Sequence, residues 1–242
     1  NGISILSEAF SHDPFEKRVK ATYAFVKELL SLVAERSSEL TKRTRTPRSA
    51  VRGPIAESID LRSALPASAS PQPVAFEILA RTGDSSRTEP GVPRGLRRTG
   101  EFRLRAMPVF DHFVPTLTRP LPDYYLVPAA DATLLARLRL HGIRTERYVF
   151  THLGGDEFVV DSLVRSPRQF QGHHEARLVG RWRTVPRFDF SYTLVSTRQP
   201  LGVLAAYLLD PESDDGFATW NAFDAALTAA STYPVRRATE IP

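Results

Sequence analysis

The 242-residue chain has no cysteine, one methionine and only four lysines among its 32 basic residues. Without cysteine there are no disulfides, thiolate zinc sites or cysteine nucleophiles, although the redox compartment stays open. No apolar run approaches the roughly 18 residues that a membrane-crossing helix needs. The strained Gly-x-Ser-x-Gly turn of serine hydrolases is missing. So are the helical zinc pattern His-Glu-x-x-His and its relative His-x-x-Glu. The first residue is Asn1 rather than methionine, within an apolar run, which is expected of a piece of a longer protein.

What is present is unevenly spread. The net charge of +5 is concentrated in residues 36–62 and 81–105, both rich in arginine. Phe102 is the only aromatic residue in either stretch, so neither offers the stacking rings of a nucleic-acid surface. They read as solvated segments, and no nucleic-acid partner is expected. Prolines crowd the region from Pro47 to Pro128 and prevent a continuous helix there. Short strands such as Val74–Leu79 and Glu101–Arg105, joined by Gly/Pro/Ser turns, are expected instead.

Residues 2–10 are apolar with β-branched positions and predict a mostly buried strand. Asp13, Pro14 and Glu16 resemble a capping arrangement. The stripe Phe15, Val19, Tyr23, Val26, Leu30 and Val33 then predicts an amphipathic helix ending near Arg36. Further on, Ala132–Leu140 predicts a helix with Asp131 at its start and Gly142 as its left-handed stop. Strands are expected at 147–151, 158–164, 176–184 and 188–197, while Leu201–Leu209 suits a helix or a buried strand. The fold class is an α/β fragment at 1–40, a basic Pro/Ser-rich linker at 41–72, and a β-rich, sandwich-like or α+β domain at 73–242.

Few motifs carry chemistry. Glu8 closes the apolar run, the position where an open parallel sheet collects catalytic groups. A carboxylate there, walled by Ile5, Leu6 and Phe10, suits general acid/base work; a structural hydrogen bond is the plainer alternative. Gly154-Gly155-Asp156-Glu157-Phe158 spells the diguanylate cyclase signature, and Asp111-His112-Phe113 echoes that family's upstream metal segment. Yet Val109 and Val114 stand where a second carboxylate and a lysine belong, so the match reads as coincidental, a hairpin turning on Gly-Gly-Asp between 148–151 and 158–160. His173-His174-Glu175 is too tightly packed to converge on one metal. His12, His112, His141 and His152 are isolated. The acidic run Asp210–Gly216 departs from a calcium loop and reads as a tied-down turn.

Two segments together resemble the zinc carboxypeptidases related to carboxypeptidase A, in a long bacterial form with a C-terminal extension. Ile3–Val19, which contains Glu8, resembles the last catalytic-domain strand and the helix after it. Tyr125–Pro128, Leu138-x-x-His141-Gly-Ile143, Phe170–His173, Gln199–Gly202 and above all Leu208–Asn221 resemble the extension. The resemblance implies a zinc-activated water attacking the C-terminal peptide bond of a peptide or protein, with Glu8 as general acid/base. It also implies that the zinc ligands and substrate-binding residues lie upstream of Glu8. The upstream part of the same catalytic domain is then the partner of residues 1–40. Export to the periplasm or medium is the family habit. On this reading the isolated chain is inactive; the alternative is a non-catalytic β-rich binding module.

Overall fold

The computed structural model describes residues 4–11, 13–44, 57–86, 89–148, 154–188 and 191–238. These group into two compact units, residues 1–48 with 67–111 and residues 49–66 with 112–242. Ser58–Ala64, inside the segment read as a linker, form a strand of the second unit.

In the first unit, helix α1 (Phe15–Glu35) leads into α2 (Ser37–Thr44). Helix α1 follows the expected stripe, but none of its residues is buried. Phe15 is 73% exposed, Tyr23 70% and Leu30 64%. The residues before it depart from expectation. Residues 4–10 form no strand, and Ile5 and Leu6 are exposed. A strand exists only where a neighbour takes its backbone N–H and C=O groups, and no strand among the described residues does so here. The capping arrangement also differs: Pro14 is the N-cap, without a side-chain bond. Asp13 accepts from Lys17 at 3.0 Å, and Glu16 accepts from Lys20. One turn apart, each acid finds its lysine more readily than the helix end. The unit also holds an antiparallel ribbon of β2 (Gln72–Arg81) and β3 (Leu96–Met107).

The second unit is an antiparallel sheet with helices on one face, so it is α+β rather than a sandwich of two large sheets. Strands β1 (Ser58–Ala64) and β4 (Val114–Pro120) pair with each other. The main sheet comprises β5 (Tyr124–Pro128), β6 (Glu146–Tyr148), β7 (Gly155–Arg165), β8 (Ala176–Val185), β9 (Tyr192–Ser196) and β10 (Arg236–Ala238). Its order is β6-β9-β5-β10-β7-β8.

One side of the sheet carries the core. Tyr125 and Val127 of β5, Phe158 and Val160 of β7 and Val195 of β9 pack with Ile59 and Leu61 of β1 and with two helices, α3 (Ala132–Leu140) and α4 (Gly202–Leu209). Leu126, Tyr192, Leu194 and Ala238 form a smaller cluster. The two-residue period of the pleat sends Leu126 to the face opposite Tyr125 and Val127. Helix α3 is capped as its sequence predicts: Asp131 Oδ1 accepts from the Leu134 N–H at 2.9 Å, and Gly142 adopts φ +77°. Leu134 and Leu138 are buried beneath it, each contributing about 2 kcal/mol of apolar burial. The apolar run 201–209 resolves as helix, with Ala205, Ala206 and Leu209 inaccessible to solvent.

Candidate functional site

Glu8 lies exposed in the extended segment before α1. The apolar wall expected around it is not formed, since Ile5, Leu6 and Phe10 are 52%, 82% and 53% exposed. Ala9 instead lines an open depression with Phe15, Val19, Tyr23 and Val26 of α1. His12 lies outside the described residues.

The pentapeptide 154–158 sits elsewhere, and the structure gives each letter a local reason. No hairpin turns on Gly-Gly-Asp: β6 pairs with β9, and Gly155 already begins β7, paired with Val185 of β8. The residues from 149 to 153 lie outside the described set. Both glycines are needed for close backbone approach. A Cβ on Gly154 would stand 2.7 Å from the Pro186 carbonyl oxygen, and one on Gly155 would overlap that of Arg237 in β10. The acids are held by cross-strand partners. Glu157 pairs with Arg183 and Arg236, and Asp156 accepts from Thr184 at 2.8 Å and faces Arg237. Arg237 lies over the Trp182 ring, 3.5 Å from its centroid, a cation–π contact.

The histidine pair diverges. His173 Nδ1 meets Asn221 Oδ1 at 3.2 Å, whereas His174 Nδ1 meets the Ser166 carbonyl oxygen at 2.9 Å. Among the described residues no three His, Cys, Asp or Glu side chains come together as metal ligands. His152 lies outside them.

The run 210–216 is tied down. Asp210 is buried and accepts from the Tyr125 hydroxyl at 2.9 Å and the Glu212 N–H at 3.0 Å. Burial pushes the Asp210 carboxyl above its ordinary value, and burial together with Asp210 pushes the Tyr125 phenol well up. Glu212 accepts both arms of Arg119, each at 2.8 Å. Asp214 accepts the Ser63 N–H at 3.0 Å and the Tyr207 hydroxyl. Burial and that second bond raise the Tyr207 phenol to about 12. Asp215 accepts from the Trp220 indole at 2.5 Å.

Beside this loop lies a cavity of about 320 Å³, which no motif foreshadowed. Arg62 and Ser63 of β1, Thr116 of β4, Arg177 of β8, Glu175 and Asp214 are among its lining residues. Arg62 is fixed by two backbone carbonyls: its Nε donates to Glu212 at 2.7 Å and its Nη2 to Leu178 at 2.8 Å. Burial, then the charge of Arg177, lowers the Arg62 pKa. The signal was unreadable in sequence because the lining comes from five separate segments.

The chain is similar in part to known carboxypeptidases. It is 28% identical over 128 residues to a protein named carboxypeptidase 2 from Trichophyton rubrum, covering 51% of the chain and 23% of that protein. The protein of the same name from Trichophyton equinum is 28% identical over 126 residues, covering 50% and 22%. The relationship is carboxypeptidase-like. No family model matches, and no solved structure matches. The matched stretch spans less than a quarter of these relatives, and they are fungal, so the expected bacterial form gains no support. Among the described residues no helix is long and apolar enough to cross a membrane.

Proposed function

We propose that the chain is the C-terminal portion of a zinc metallocarboxypeptidase-like protein, exported from the cell, that hydrolyses C-terminal peptide bonds of peptide or protein substrates. The observation that carries this reading is the similarity to carboxypeptidase 2, which covers half of the chain. The bare apolar stripe of α1 supports a further part of it: residues 1–40 complete a catalytic domain whose remaining strands come from upstream chain. Glu8, exposed ahead of that stripe, serves as general acid/base. Its carboxylate takes a proton from the attacking water and returns it to the leaving amine. The zinc does not fit the described residues of this chain, because no ligand cluster forms among them. On this reading the metal and its ligands lie upstream, and the 242 residues alone release no amino acid.

Two assays test the proposal. In the longer natural protein, Glu8→Gln is expected to lower kcat by about 10²–10⁴-fold while KM changes little. Wild-type turnover by that variant would remove Glu8 from the mechanism. The isolated chain, supplied with zinc and peptides with free or blocked C-termini, should release no residue; release would overturn the upstream placement of the metal site. The alternative reading, a non-catalytic binding module, is favoured by one observation, the charged cavity of the second unit.

A further inference from the structure

Two charged side chains in the cavity beside β1 have no partner among the described residues. Among the described residues the exposed Arg177 guanidinium has no hydrogen bond or ion pair, and the exposed Glu175 carboxylate has none either. Arg62 spends two of its donors on carbonyl oxygens, with Glu212 and Asp214 as nearby counter-charges, and its Nη1 donates to none of the described residues. The hydroxyls of Ser63 and Thr116 have no hydrogen-bond partner among the described residues. Asp214 is already satisfied by the Ser63 N–H and the Tyr207 hydroxyl. The lining therefore offers two guanidiniums and two hydroxyls as donors, and one unspent carboxylate as an acceptor. Its formal charge sums to zero, two arginines against Glu175 and Asp214.

We propose that this cavity binds a small zwitterion, the carboxylate and ammonium of a free amino acid or short peptide. The carboxylate lies between Arg62 and Arg177, and Glu175 takes the ammonium. Guanidiniums suit carboxylates because their planar fork presents paired N–H donors at matching spacing. A simple inorganic anion matches less well, since Glu175 and Asp214 repel it while leaving the acceptor unused. The volume of about 320 Å³ is at the lower end for ligand pockets and suits one or two residues. The half-buried Arg62, its pKa lowered by partial burial and by Arg177 against the opposing pull of Glu212 and Asp214, gains a further counter-charge when the ligand arrives. This inference rests on the second unit alone and stands whether or not the longer protein is a peptidase.

The test is a titration of the full 242-residue chain, followed by amide and guanidinium chemical shifts, with glycylglycine, glycine, N-acetylglycine, glycinamide and inorganic phosphate. Glycylglycine or glycine is expected to saturate with a dissociation constant on the order of 1 mM. Which of the two binds tighter tells peptide from free amino acid. N-acetylglycine and glycinamide, each lacking one charge, should bind about tenfold more weakly. Arg177→Ala should weaken the dipeptide about tenfold. Arg181→Ala, on the same strand and paired with Asp161, should leave it unchanged. Glu175→Gln should weaken glycylglycine and spare N-acetylglycine. Absence of saturable shifts at tens of millimolar would overturn the proposal. So would Arg177→Ala titrating like the wild type with its spectrum otherwise intact, or phosphate binding tighter than either zwitterion.

Discussion

Replacing Arg119 by Met tests whether the loop 210–216 is anchored as its hydrogen bonds indicate. Both arms of Arg119 end on Glu212, whose side chain is 7% exposed while that of Arg119 is 37% exposed. The carboxylate holds the guanidinium above its already high ordinary pKa. Met keeps the aliphatic stem and its packing but leaves a buried carboxylate without its cation, two residues from the buried Asp210. Breaking a buried pair this way costs about 3–5 kcal/mol. With Arg119 a third exposed, solvent screening brings the expected loss to about 2–4 kcal/mol. Glu212→Gln keeps the shape without the charge and should cost about 1–2 kcal/mol. The double variant should fall short of the sum by about 1–2 kcal/mol, the coupling of the pair. The assay is urea unfolding followed by tryptophan fluorescence. The only two tryptophans, Trp182 and Trp220, both lie in the second unit, so the signal reports that unit. Single losses that add to within about 0.3 kcal/mol, or a loss below about 0.5 kcal/mol for Arg119→Met, would refute the anchoring role.

Other expectations follow from the same unit. Gly155→Ala should destabilise the sheet by more than 3 kcal/mol or abolish soluble expression, because β10 must shift to admit the methyl. Gly172→Ala, at φ +84° with open space around it, should cost only about 1 kcal/mol; equal losses would contradict the packing argument. Asp210, whose folded pKa is raised by burial, contributes stability that is present below the unfolded value of 3.8 and lost as pH rises through the folded one. Asp210→Asn should therefore gain on the wild type as pH rises from about 4 toward 7, read from urea midpoints. A pH-independent difference would refute the burial penalty.

How much of this was legible in sequence depends on where each element finds its partners. Helix α3 announced both ends, because Asp131 and Gly142 act within one turn of the residues they serve. Strands β7, β8 and β9 were visible as runs of β-branched and aromatic residues. Of the strand expected over 2–10, the described residues 4–10 are not strand, since apolar composition cannot supply the neighbour that a strand needs. Strand β1 hid within a proline-rich basic stretch, where only Ile59 and Leu61 alternate toward the core. For Leu201–Leu209 periodicity was uninformative because the helix is apolar nearly all round. At the site level, Glu8 was singled out by its position after an apolar run, and its role rests on the proposed function. The cavity went unseen because Arg62, Thr116, Glu175 and Asp214 meet only after folding.

The sheet order β6-β9-β5-β10-β7-β8 places the last strand in the middle. Residues 236–238 form the seam between β5 and β7, about 40 residues after β9 in the chain. During synthesis β6, β9 and β5 can assemble as one three-stranded ribbon and β7 with β8 as a hairpin that is only marginally stable alone. Only when Ala238 has cleared the ribosome can the two ribbons be stitched together. A chain cut just before Arg236 would therefore keep nearly all of the described core residues of the second unit and lose the strand that joins its two ribbons.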